Sequence, residues 1–266
     1  MTAAHAMEDT ITMVRRKLRH MQRYPALTLM LVMLPVVFLL LFVDVFGTTL
    51  GNGLGRVAGG RGAYANYVTP AIILLTVASA STATAISVAT DMTEGIIDRF
   101  RTMAIWRPAV LAGHVLGSMI QTLLAVLVVI AVAVAVGFRP AAGALEWLAA
   151  AGVLAMITLA LTWLAVALGL VAKCVETASN TPMSLMLLPF LGSGFVPTGS
   201  MPSGLRQFAT YQPFTSFTDT LRGLLTAGSI GNQALVTAAW CAAIAIAGYV
   251  WALARYNRGA AMPAAQ

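Results

Sequence analysis

The chain has 266 residues, 59% of them hydrophobic and only 9% charged, whereas a soluble globular domain carries charge on roughly a quarter of its residues. The net charge of +7 is spread singly between apolar runs rather than gathered on one face, which argues against nucleic acid as a partner. Cys174 and Cys241 stand in different apolar segments with no histidine cluster nearby, so they form neither a disulfide framework nor a metal site.

From the amino terminus, Ile11, Val14, Leu18 and Met21 recur at helical spacing while Arg15, Arg16, Lys17 and Arg19 fill the positions between. This pattern predicts an amphipathic interface helix within residues 1–25, lying along the lipid headgroups, with Pro25 at the turn into the membrane. The apolar run that follows has no convincing small-x-small cleavage site and is read as a retained helix.

Candidate spans are Ala26–Phe46, Tyr67–Thr90, Pro108–Val136, Leu145–Ala172, Thr181–Val196 and Ala234–Ala254. At about 1.5 Å per residue, most of these cross ~30 Å of hydrocarbon. The expected class is an all-α polytopic membrane protein with six transmembrane helices over residues 26–256 and a cytoplasmic tail over 257–266.

With the amino terminus inside, Arg15, Arg16, Lys17, Arg19, Arg23, Arg99, Arg101, Arg107, Lys173, Arg255 and Arg258 fall in the cytoplasm. Only Arg56, Arg61, Arg139, Arg206 and Arg222 fall outside. That bias places both termini in the cytoplasm.

The Gly-rich stretch Gly47–Gly62 is a connection on the outer side, because no strand-to-helix unit follows it to cradle a phosphate. In the second span, Ser79, Ser81, Thr82, Thr84 and Ser87 sit among alanines, a composition that suits close helix packing or a polar lining. In the third, His114, Ser118 and Gln121 fall on one stripe, which serves either hydrogen bonding between helices or contact with a substrate. If a polar path for substrate runs through the bundle, its candidate residues are Ser79, Thr82, His114, Ser118, Gln121 and Phe195.

The fifth span contains Pro182, Pro189, Gly192 and Gly194 and ends at Pro197, so it is expected to be kinked or broken. Beyond it, Phe208, Tyr211, Phe214 and Phe217 recur every three residues, followed by Leu221, Leu224 and Leu225. Residues 197–226 therefore read as an amphipathic helical segment re-entering the outer interface between the fifth and sixth spans.

Between the second and third spans, residues 91–107 carry the densest charge outside the amino terminus. A short helix here would show Ile96, Ile97 and Phe100 to a partner while Glu94, Asp98, Arg99 and Arg101 ring the contact. Periodicity alone equally allows a solvated loop whose charges fix topology.

The order Glu94-Gly95, Asp98-Arg99, Arg101 before the third helix resembles the intracellular loop of type-2 ABC exporter permeases, in particular the actinobacterial daunorubicin-resistance-like subfamily. The similarity extends to the basic amphipathic helix, the six-span layout and the outer segment around Pro197–Leu225. The chain departs from the family pattern at Ala104, where Pro is common, and at His114, where Arg or Lys is common.

The resemblance implies that Glu94, Gly95, Ile96, Ile97, Asp98, Arg99, Phe100 and Arg101 form a coupling helix docking on a cytoplasmic ATPase subunit. It implies two permeases, identical or related, paired with two ATPases, and outward movement of an amphiphilic drug, antibiotic, lipid or glycolipid.

No P-loop is present, since the only lysines, Lys17 and Lys173, lack the Gly-Lys-Ser/Thr context. No cofactor is therefore expected on this chain, and ATP and Mg belong to the partner. His5, His20 and His114 are far apart, and no hydrolase motif appears. Asp44, Glu146 and Asp219 map near the outer face, which leaves the spans without an obvious ion relay. An ion-coupled secondary carrier or channel is the competing class, with a membrane scaffold or enzyme behind it.

Overall fold

The computed structural model describes residues 10–12, 14–16, 18, 19, 21, 23, 25–49, 60–95, 107–172 and 174–258. Every regular element among them is helical. The helices are α1 (Pro25–Leu40), continued by a π-turn (Leu41–Val45), α2 (Arg61–Thr93), α3 (Arg107–Val136), α4 (Ala144–Val171), α5 (Val175–Leu187), α6 (Ser203–Tyr211), α7 (Pro213–Leu225) and α8 (Gln233–Arg258). The described residues between 10 and 23 are also helical.

Among the described residues, five stretches are long and apolar enough to cross a membrane: Thr28–Val45, Arg61–Thr93, Leu111–Val136, Ala144–Val171 and Gln233–Tyr256. The stretch expected as a fifth span, Thr181–Val196, does not run as one helix. Helix α5 begins earlier, ends at Leu187 and gives way to turns through Phe195. Pro189, Gly192 and Gly194 account for the break, since proline cannot donate to the ladder and glycine is costly within a helix.

Helix α2 is the core of the bundle. It packs on α1, α3, α4, α5 and α7, and Val68 through Ala78 are all buried. Its hydroxyls turn back onto their own helix: Thr76 donates to Ile72 O at 2.9 Å and Ser81 to Val77 O at 2.9 Å. Such back-bonding satisfies a hydroxyl where no water is present.

By contrast, α1 and α3 leave one face bare. Leu29, Met30, Met33 and Val37 on α1 and Leu116, Leu124, Leu127 and Val128 on α3 are exposed, as a lipid-facing surface would be.

Small residues set the other close contacts. A Cβ at Gly248 of α8 would lie 2.7 Å from Leu164 N and 2.8 Å from Trp163 C on α4, so the two backbones touch there. A Cβ at Gly194 would lie 2.7 Å from the Ala71 Cβ of α2. The turn at 188–195 thus sits against the central helix.

The aromatic run after the fifth stretch divides into two helices rather than one amphipathic helix. Pro213 pushes the residue before it away from helical geometry, and Gln212 is extended at φ −70° and ψ 148°. In α6, Phe208 and Tyr211 are exposed, whereas Phe214, Phe217, Leu221 and Leu225 of α7 are buried in the bundle.

Candidate functional site: two charged knots at opposite ends of the bundle

The first knot lies near the Arg61 end of α2. Arg222 of α7 donates through Nε and Nη2 to Tyr67 O at 3.2 Å, through Nη2 to Ser193 O at 2.8 Å, and through Nη1 to Asp219 Oδ1 at 2.9 Å. Its guanidinium lies 3.9 Å from the Tyr67 ring centroid, within reach of a cation–π contact.

Ser193 Oγ donates to Asp219 Oδ1 at 2.6 Å, and the Tyr67 hydroxyl donates to Ser193 O at 2.7 Å. Pro70 lacks an N–H and its ring crowds the preceding turn, the turn whose Tyr67 carbonyl faces Arg222. One planar cation thereby ties α2, the 188–195 turn and α7 together. Such multiple donation is the particular capacity of arginine.

The 137–143 connection joins the same end. Arg139 N donates to Asn66 Oδ1 at 2.8 Å and Ala141 N to Leu225 O at 3.1 Å. The Glu146 carboxylate accepts from Gly143 N and caps α4.

The second knot lies at the other end of α2. Asp91, the first residue of the 91–107 segment, is 9% exposed. Its Oδ2 accepts from Arg16 Nη2 at 3.2 Å and lies 3.1 Å from His114 Nε2 of α3. The amino-terminal helical residues, the end of α2 and the first turns of α3 therefore meet at one carboxylate. His114 Nδ1 and Ser118 Oγ are buried without a hydrogen-bond partner among the described residues.

Of the coupling residues expected from sequence, Glu94 is exposed and Gly95 occupies φ +68°, the left-handed conformation that ends helices. Ile96, Ile97, Asp98, Arg99, Phe100 and Arg101 lie outside the described residues, as do Lys17 and the tail from residue 259. Arg15 and Arg19 are exposed, and Arg16 is committed to Asp91.

The candidate path residues do not converge. Gln121 Nε2 reaches Thr28 Oγ1 of α1 at 3.3 Å, and His114 reaches Asp91. Ser79 and Thr82 bond back to Leu75 O and Ala78 O at 2.8 and 3.5 Å. Phe195 is buried, with its ring stacked on Phe190 at 4.5 Å and beside Phe42 at 4.7 Å.

Sequence reasoning passed over Ser193, Tyr67 and the Asp219–Arg222 pair. The available signal was an acid and a base three residues apart on a helix that also carries Phe214, Phe217, Leu221, Leu224 and Leu225. It likewise read Asp91 only as the start of a charged loop.

The family model described as ABC-2 type transporter matches residues 8–226, which covers both knots. The daunorubicin resistance ABC transporter permease protein DrrB1 of Streptomyces coeruleorubidus is 30% identical over 228 residues, spanning 85% of this chain and 78% of that protein. The probable doxorubicin resistance ABC transporter permease protein DrrC of Mycobacterium tuberculosis is 24% identical over 211 residues, spanning 79% and 76%. With an all-helical bundle, several membrane-length apolar helices and a match over most of its length, the chain belongs to the ABC-2 type transporter family as a membrane-spanning transporter subunit.

Proposed function

We propose that the chain is the permease of an ATP-driven exporter that moves an amphiphilic substrate outward, powered by a separate ATPase subunit docking on residues 91–107. The observation that carries this reading is the clasp on Asp91. The root of the docking segment is held by both the amino-terminal helical residues and α3, and it continues directly into the central helix. Displacement of the segment is therefore passed to the helix that touches most of the bundle.

In this reading both termini are cytoplasmic, and α5 with the 188–196 turn forms the broken fifth of six crossings. Helices α6 and α7 re-enter from the outside, and ATP and Mg are held by the partner. A second permease is supported by polar surface that lipid does not favour. On α5, Thr177, Asn180, Thr181 and Ser184 are exposed, beside the partly exposed Ser79, Thr82 and Ser87 of α2. Two such faces brought together would enclose a polar path. The related permeases are named for resistance to daunorubicin and doxorubicin, and this supports an amphiphile as cargo.

The test is charge reversal in the docking segment, with Glu94→Lys and Arg101→Glu combined. The expected result is normal membrane insertion with loss of the co-purifying ATPase and of export. Intact assembly and export in the doubly reversed protein would overturn the proposal.

A further inference from the structure

A groove of about 620 Å³ opens between the amino-terminal helical residues and α3, lined by Ile11, Val14 and Leu18 on one side and Leu116, Met119 and Leu123 on the other. Its volume falls within the ~300–1,000 Å³ of small-molecule sites. The wall is almost wholly apolar, and Arg15 is the charged residue in its lining.

The depth of the groove follows from its neighbours. His114 meets Asp91 at the end of α2, and Leu116 to Leu123 are the next two turns of α3 toward the bundle centre. The apolar wall thus lies on the bundle-centre side of the Asp91 level. Arg15, Arg19 and Arg23 are all exposed and follow one another at four-residue spacing on one helix face. Arg16, which points elsewhere, is taken by Asp91.

We propose that this groove is a binding site for one anionic phospholipid of the cytoplasmic leaflet, with acyl chain against Leu116, Met119 and Leu123 and the phosphate on Arg15 and Arg19. Charge selects the occupant: an apolar trough with Arg15 in its lining and Arg19 one turn further along the same helix face matches a ligand that carries a negative head on an apolar tail. The bound lipid braces the segment whose Arg16 holds Asp91. The choice of leaflet rests on the orientation proposed above, whereas the groove and its preference for an anionic lipid do not depend on the ATPase.

The test uses the full chain purified with its co-extracted subunits in neutral detergent. Retained lipid is counted by native mass spectrometry, and thermal midpoints are recorded with dioleoyl phosphatidylglycerol, dioleoyl phosphatidylcholine or sn-glycerol 3-phosphate. The expected result is one phosphatidylglycerol per chain held in preference to phosphatidylcholine, and no protection by the free headgroup. Arg15→Gln and Arg19→Gln should each lower that preference about fivefold. Met119→Trp, which fills the trough, should remove the retained lipid while Arg15→Gln keeps the protein folded as a control. Equal retention of both lipids, retention unchanged in all three variants, or equal protection by sn-glycerol 3-phosphate would overturn the proposal.

Discussion

The two charged knots use the same chemistry, an arginine against an aspartate, in opposite ways. At the Arg61 end, Arg222 is 18% exposed and donates to three different chain segments. At the Asp91 end, the Arg16 side chain is 45% exposed and pairs with a carboxylate that is 13% exposed. A cation shared among three segments costs dearly to remove, because several acceptors lose a donor at once. An exposed cation swings away from its carboxylate at less cost, because water takes over its charge and His114 stays beside Asp91. The bundle is thus pinned at one end and left adjustable at the end where an outside motor would push.

The sharpest way to break this contrast is Arg222→Ala, which takes the side-chain donor from the Tyr67 carbonyl and leaves Asp219 and the Ser193 carbonyl with only the Ser193 and Tyr67 hydroxyls. It is expected to cost about 3–5 kcal/mol and to appear as a large drop in thermal midpoint and in monodisperse yield. A cost no greater than that of removing Arg16 would erase the distinction between the ends.

Next in size is Gly248→Leu, which forces α8 away from the Leu164 backbone. Overpacking of this kind should cost about 1–3 kcal/mol, read as a lower thermal midpoint. Asp91→Asn keeps the shape of the docking-end clasp but removes its charge. Its stability penalty should stay near 1 kcal/mol while export falls severalfold, a split between stability and transport that a merely structural residue would not give. Smallest is Arg61→Ala, which breaks an exposed pair with Asp44. It should shift stability by less than about 1 kcal/mol, with export unchanged.

The spans were legible in the sequence because their signal is local: a run of apolar residues of membrane length needs no knowledge of its neighbours. Five of the six expected stretches correspond to long helices. The stretch at Thr181–Val196 does not, because its prolines and glycines outweigh its hydropathy. The break at Gln212–Pro213 was also written in the chain, but the three-residue aromatic spacing runs straight across the proline and suggested one continuous face.

The Arg222 knot was not legible. Its partners Tyr67 and Ser193 are 126 residues apart, and Arg222 is 155 residues from Tyr67. No spacing rule links them. The Asp91 clasp likewise joins residues 75 positions apart. Charge counting had placed Arg222 only as one of the outer cations, which says nothing of its burial.

In the proposed function, Glu94 and the charged segment after it face the cytosol and touch the motor subunit. The direct measurement is thiol labelling of Glu94→Cys in a chain carrying Cys174→Ser and Cys241→Ala. The account predicts no reaction with a membrane-impermeant maleimide in intact cells, rapid reaction in inverted vesicles stripped of the ATPase, and protection when the ATPase is restored. Labelling from outside intact cells would contradict it.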